Sequence, residues 1–303
     1  MANSSGITTI TDIRRLPVFM MTFLLAMTAA LSAHVVMLQL LHVPYPDHQA
    51  VPRWVKLFSG AVTFEALTCF CMLARSSLNR WTLMMQCAAV FTVYAMTRET
   101  LRGMVMNGVV TTSWSYALLA GIPAVAYLLI QSIAALLCAR WLHSYRALLV
   151  GAVIFGVLVF AVQPLIENLA HPVLEKYAYL AHDEVYTTPY GWHVLVPAYL
   201  TYLEPGVGCL AAYVLVRNAH GDTAAGRVIR FSILYLIIRG VLLTTLLWSF
   251  FLTTDLLASF ISESQFLIEF LTLAVLTAIG WERATASPSV DESANLPSTG
   301  LPY

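Results

Sequence analysis

Apolar residues in this chain come in unbroken runs, not in stripes. Leu16 to Leu41 carries no charged residue, and similar runs recur to Gly280. A helix that is hydrophobic all round is a buried core element or a membrane span. About 20 apolar residues cross a bilayer. Eight runs fit, at roughly 17–41, 57–74, 82–100, 116–138, 147–165, 193–215, 231–252 and 265–281. They predict an all-α polytopic membrane protein of about eight transmembrane helices, with residues 1–281 forming one bundle. Residues 282–303 are rich in Ser, Pro and Ala and read as a disordered cytoplasmic tail. Ala30-Leu31-Ser32 resembles a signal-peptide cleavage site, but the apolar run around it is longer than a typical signal core.

The run Trp192–Arg217 breaks the pattern. Its middle holds Glu204, directly before Pro205, Gly206 and Gly208. Proline removes a backbone donor and crowds the carbonyl four residues back, here that of Thr201. An acid at the break of a membrane helix is a candidate functional site.

Composition supports the membrane reading. Hydrophobic residues make up 59% and charged residues 11%, against about 25% charged in soluble domains. Mean hydropathy is +0.75. A net charge of zero implies no nucleic-acid partner. The distribution of charge sets an orientation. With the N-terminus inside, ten basic residues fall on the cytoplasmic side: Arg14, Arg15, Arg75, Arg80, Arg140, Arg146, Arg217, Arg227, Arg230 and Arg283. Five fall outside: Arg53, Lys56, Arg98, Arg102 and Lys176. Cytoplasmic loops are the basic ones, so both termini are expected in the cytoplasm and the location is the cytoplasmic (inner) membrane. Met104–Ser115 has no charge and reads as a loop, a re-entrant segment or extra helix.

Charges within the runs are the candidate chemistry. An ionised group at the bilayer centre costs about 2.5–3.5 kcal/mol and usually faces the bundle interior. The candidates are Glu65, Glu204, Arg239 and Glu269. Glu204 and Arg239 lie near mid-span on consecutive runs, which predicts a Glu204–Arg239 ion pair. Such a pair either binds a ligand or locks helices in register. Arg98, Glu99 and Arg102 form a second cluster, read either as solvated interface charges or as a site for a phosphate or carboxylate. The predicted binding site is therefore Glu65, Glu204, Arg239, Arg98 and Arg102.

The halves of the chain also resemble each other weakly. Trp54, Glu65, Cys69, Arg75 and Arg102-Gly103 are echoed by Trp192, Glu204, Cys209, Arg217 and Arg239-Gly240. This predicts a 4+4 repeat of parallel orientation, although Arg102 and Arg239 sit at different depths.

Other chemistry is thin. His182-Asp183-Glu184 suits zinc or acid–base work only if ligands converge from elsewhere, such as His171, His193 or His48. No metal site is assigned. His34, the one deep histidine, reads as a core hydrogen-bonding group. The cysteines have no ligand spacing and read as packing residues. Three function classes remain. The first is a transporter or small-molecule-binding protein with an intramembrane Glu/Arg site and a small polar or anionic ligand. The second is a non-catalytic subunit or assembly factor with a partner membrane protein. The third is an enzyme acting on a lipid-linked substrate at the outer face. The lipid bilayer is a partner in each case.

Overall fold

The computed structural model describes residues 15–141, 146–221, 223–252 and 255–286, and every regular element among them is helical. Helix α1 (Arg15–Val35) continues through a π-turn (Val36–Leu40), and α2 spans Arg53–Leu73. Short α3 (Arg75–Leu78) leads to α4 (Leu83–Thr97) and α5 (Thr100–Thr111), followed by α6 (Trp114–Trp141). Helix α7 (Arg146–Val157) passes through a second π-turn (Leu158–Val162) into α8 (Gln163–Lys176). Then come α9 (Trp192–Thr201), α10 (Leu203–Val216), α11 (Ala224–Arg239), α12 (Val241–Leu247) and α13 (Leu256–Thr285).

Six helices are long and apolar enough to cross a membrane, and α11–α12 makes a seventh if the bent pair counts as one span. The chain is therefore a multi-pass helical membrane protein in architecture. Each predicted run coincides with a helix or a helix pair. The third run contains α4, which has only 15 residues. The uncharged segment after Arg102 is helix α5.

Three helix pairs, α9–α10, α11–α12 and α4–α5, are separated by breaks, each with a local reason. Pro205 cannot donate to Thr201, so α9 ends there and α10 begins at Leu203. Gly240 takes a left-handed conformation, φ 87°, and ends α11. The α11–α12 pair bends by 77° at that point. Glu99 is also left-handed, φ 54°, and separates α4 from α5. A non-glycine residue there stores about 1 kcal/mol of strain.

Threonine and aspartate caps define where several helices begin. Thr82, Thr223 and Asp255 accept from the backbone N–H groups of Met85, Gly226 and Ala258. Helix α1 packs along α13, α2 against α6, α7 and α11, and α10 against α4 and α13. Tyr202, Tyr213, Tyr235, Phe64, Phe70, Phe231 and Phe270 fill the centre. The α7–α8 arm is the least buried of the long apolar helices.

The start of α1 and the end of α13 meet, because Arg15 donates to the carbonyl of Ala286. The boundary expected at Glu282 falls inside α13. Glu282 there accepts from Tyr213, Arg217 and Arg227 and fastens α13 to α10 and α11. The rest of the expected tail, and the leader before Arg15, lie outside the described residues. His220, between α10 and α11, is held below its ordinary range by burial and the charge of Arg230.

Close packing is tightest where α10 crosses the end of α4. A Cβ on Gly208 would lie 2.7 Å from the Met96 Cβ and 3.0 Å from the Thr97 backbone nitrogen. Backbone cannot swing aside, so Gly208→Ala should cost about 1–3 kcal/mol. A Cβ on Gly206 meets mainly the Met27 side chain, which can move. Gly206→Ala should therefore cost less. Thermal unfolding of both variants in detergent checks the order; equal losses would mean that α10 can slide.

Candidate functional site

The breaks between α4 and α5 and between α11 and α12 bring their charges together. Helices α4 and α11 each run 15 residues from first residue to arginine, or about 22 Å at 1.5 Å per residue. Arg98 and Arg239 meet where these two helices end. Arg98 Nη1 donates to the Arg239 carbonyl at 2.6 Å, and Thr63 Oγ1 donates to the Ile237 carbonyl at 3.3 Å. These bonds add acceptor contacts at the end of α11, where the Ile237 carbonyl also accepts from the Gly240 N–H. On the other side, Thr100 Oγ1 bonds the Ala95 carbonyl at 2.9 Å.

Glu99 lies between two arginines. Its Oε1 accepts from Arg102 Nη1 at 2.9 Å, and its Oε2 pairs with Arg239 Nη2. Arg239 also stacks on Phe270 at 4.2 Å, and Arg102 faces Tyr202 at 5.3 Å. The predicted Glu204–Arg239 pair does not form. Glu204 accepts from the backbone N–H groups of Leu101 and Arg102, capping α5 where the break exposes donors. A carboxylate is a good partner for a helix N-terminus, so the break gives Glu204 a different task. The Arg98–Arg102 cluster is correspondingly not a set of solvated interface charges: Glu99 and Arg102 are 10% and 17% exposed.

Two cavities meet at this bridge. The first, about 800 Å³, has Arg98, Arg239 and Lys56 among its lining groups, with Tyr94, Gln131 and Glu263. The second, about 450 Å³, contains Glu99, Arg102, Glu184 and Glu269, with His34 and Tyr45. Asn107 and Phe266 line both. Lys56 and Arg98 favour anions in the first cavity. The second carries more carboxylates than cations.

In each cavity a carboxylate of α13 pairs with a histidine from elsewhere in the chain. In the first, His48 Nε2 lies 2.6 Å from Glu263 Oε1. In the second, His34 Nε2 lies 3.2 Å from the Tyr45 hydroxyl, and its Nδ1 lies 3.5 Å from Glu269 Oε2. Burial, with Tyr190 and Glu269 nearby, pushes the Tyr45 phenol up to about 12. It remains a neutral hydroxyl.

Glu65 does not join this site. Both its oxygens are buried without a hydrogen-bond partner, and they face Gly151 of α7. The connection after α8 is not a free loop either. His182 donates its N–H to Ser113 Oγ at 2.8 Å, and Val185 donates to the Val110 carbonyl at 2.9 Å. Glu184 reaches the second cavity from it, while His171 pairs with Glu175 on an exposed helix face. Among the described residues, no three His, Cys, Asp or Glu converge as metal ligands. The five cysteines are unbridged.

The site expected from sequence includes Arg98, Arg102, Arg239 and Glu204 but not Glu99. A signal was available. Thr82, Tyr94 and Arg98 recur as Thr223, Tyr235 and Arg239 at identical spacing, 141 residues later. Both threonines cap and both arginines end their helices. No protein-family model, curated protein or solved structure matches this chain.

Proposed function

We propose that this protein binds a small anionic solute in the first cavity, between Arg98 and Arg239, and carries it across the cytoplasmic membrane. The observation that carries this reading is the meeting of two arginine-ended half-helices at the floor of a cavity large enough for a small molecule. Broken helices around a midplane site are a recurrent transporter device. Arginine favours carboxylate and phosphate groups, which it can hold with paired donors.

In this reading the chain crosses the membrane eight times, with both termini in the cytoplasm. The junction of Arg15 with Ala286 supports an even number of crossings. A 4+4 repeat fits the packing. Helix α2 contacts α6, α7 and α11; its counterpart α10 contacts α13, α1 and α4. Four spans separate each contact from its counterpart. Arg98, not Arg102, then corresponds to Arg239, which removes the mismatch in depth. Both cavities face the outer loops, through His48 and Lys56 in one and Glu184 and Tyr190 in the other.

Native mass spectrometry of gently extracted protein tests the reading. The expected result is a retained anion of defined mass, absent from Arg239→Ala and present in Glu282→Gln. A stoichiometric protein partner unaffected by Arg239→Ala, with no small molecule retained, would overturn it in favour of a subunit role.

A further inference from the structure

We infer that the second cavity is a proton site, formed by His34 and Glu269, and that the Glu99 bridge couples it to anion binding in the first. This inference rests on the anion-site reading and specifies its coupling ion.

His34 is 7% exposed and Glu269 3% exposed. The His34 Nδ1 has no hydrogen-bond partner, yet it lies 3.5 Å from Glu269 Oε2. In the neutral tautomer whose Nε2–H donates to the Tyr45 hydroxyl, the Nδ1 lone pair faces a carboxylate lone pair. One shared proton turns that contact into a favourable one, as imidazolium with carboxylate or as imidazole with carboxylic acid. A metal ion fits poorly. Sodium and calcium prefer several oxygens, whereas here the Phe266 ring lies 5.0 Å from the imidazole.

The groups facing this pair come from every neighbouring element. Tyr45 precedes α2, and Glu184 and Tyr190 come from the connection before α9. Glu99 and Arg102 come from the α4–α5 break, Tyr202 from the α9–α10 break, and Tyr235 and Arg239 from α11. Among the carboxylates of this cavity, Glu99 is the one paired with Arg239, which lines the first cavity. An anion that takes Arg239 Nη2 displaces Glu99 Oε2. Glu99 then keeps only Arg102 and adds negative charge to the second cavity. A proton from bulk water, taken up by His34–Glu269, compensates. Linkage is reciprocal, so lower pH must tighten anion binding.

The test uses inorganic phosphate and acetate as probes with the full-length protein in nanodiscs. Thermal stabilisation is titrated at about pH 5.5 and about pH 8, on either side of the ordinary histidine range. A pH dye in weak buffer follows proton uptake as probe is added. Wild type should bind at least one probe about tenfold more tightly at the lower pH, within the usual range of coupling, and take up protons. Glu269→Gln and His34→Asn should still be stabilised by the probe but lose both the pH dependence and the uptake. His171→Asn, which alters an exposed histidine–carboxylate pair outside both cavities, should retain them. If Glu269→Gln behaves like wild type, or if His171→Asn abolishes the coupling instead, the proton assignment is overturned and the anion site stands. If Glu269→Gln or His34→Asn does not fold, proton uptake by wild type and His171→Asn decides the assignment. If neither probe stabilises wild type at either pH, the anion-site reading falls, and the inference with it.

Discussion

Glu99→Ala should lower unfolding stability by about 3–5 kcal/mol, the usual cost of removing one partner from a buried ion pair. Glu99 neutralises both Arg102 and Arg239, and alanine leaves both without it. The loss is measured by denaturant or thermal unfolding in detergent. Two comparisons separate charge from backbone. Glu99→Gly should be about 1 kcal/mol less destabilised, because glycine relieves the left-handed strain at φ 54°. Acetate should restore more stability to Glu99→Ala than it adds to wild type, since it can supply the missing carboxylate without competition. A loss below about 1 kcal/mol would mean that water or lipid phosphate already satisfies these arginines and that no bridge holds the two breaks together.

Glu282→Ala should be the second most costly substitution, at about 3 kcal/mol by the same argument. Its carboxylate joins Tyr213 of α10, Arg217 just beyond that helix and Arg227 of α11. The cluster lies in the last turn of α13, at the opposite end from Glu263, where a helix frays more readily, so the lower end of the range applies. The distinguishing feature is its effect on ligand. Glu282→Ala should melt earlier with unchanged anion affinity, whereas Arg239→Ala should lose anion binding. Equal effects on affinity would mean that the two ends of the bundle are coupled through α13, contrary to a local site.

Both predictions concern residues that sequence reasoning treated differently. Glu282 was read as part of a tail because Ser, Pro and Ala follow it, yet α13 keeps a helical course to Thr285. Position along the chain said nothing of the two arginines waiting on neighbouring helices. Glu204 and Arg239 were expected to pair because both lie near mid-span. Depth along a helix is legible from residue counts, but azimuth relative to a neighbour is not. The α4–α5 break placed Glu99 nearer to Arg239, and backbone donors took Glu204. A weak internal likeness, in contrast, is legible from Trp54, Glu65 and Cys69 and their echoes. The capping threonines Thr82 and Thr223 set Arg98 against Arg239 in that likeness.

What the sequence determined by itself is the helical membrane architecture and the positions of its apolar runs. Those follow from the cost of unsatisfied backbone in lipid, which leaves a long apolar segment few options besides a helix. The sequence also determined which charges need partners, since a bilayer gives an isolated charge nowhere to go. Only the tertiary structure decided the pairings and the two cavities. Ion pairs depend on helix rotation, crossing and local breaks, and these are set by packing among spans far apart in the chain. The left-handed turns at Glu99 and Gly240 bring residues 140 positions apart into one bridge, and no local pattern encodes that distance.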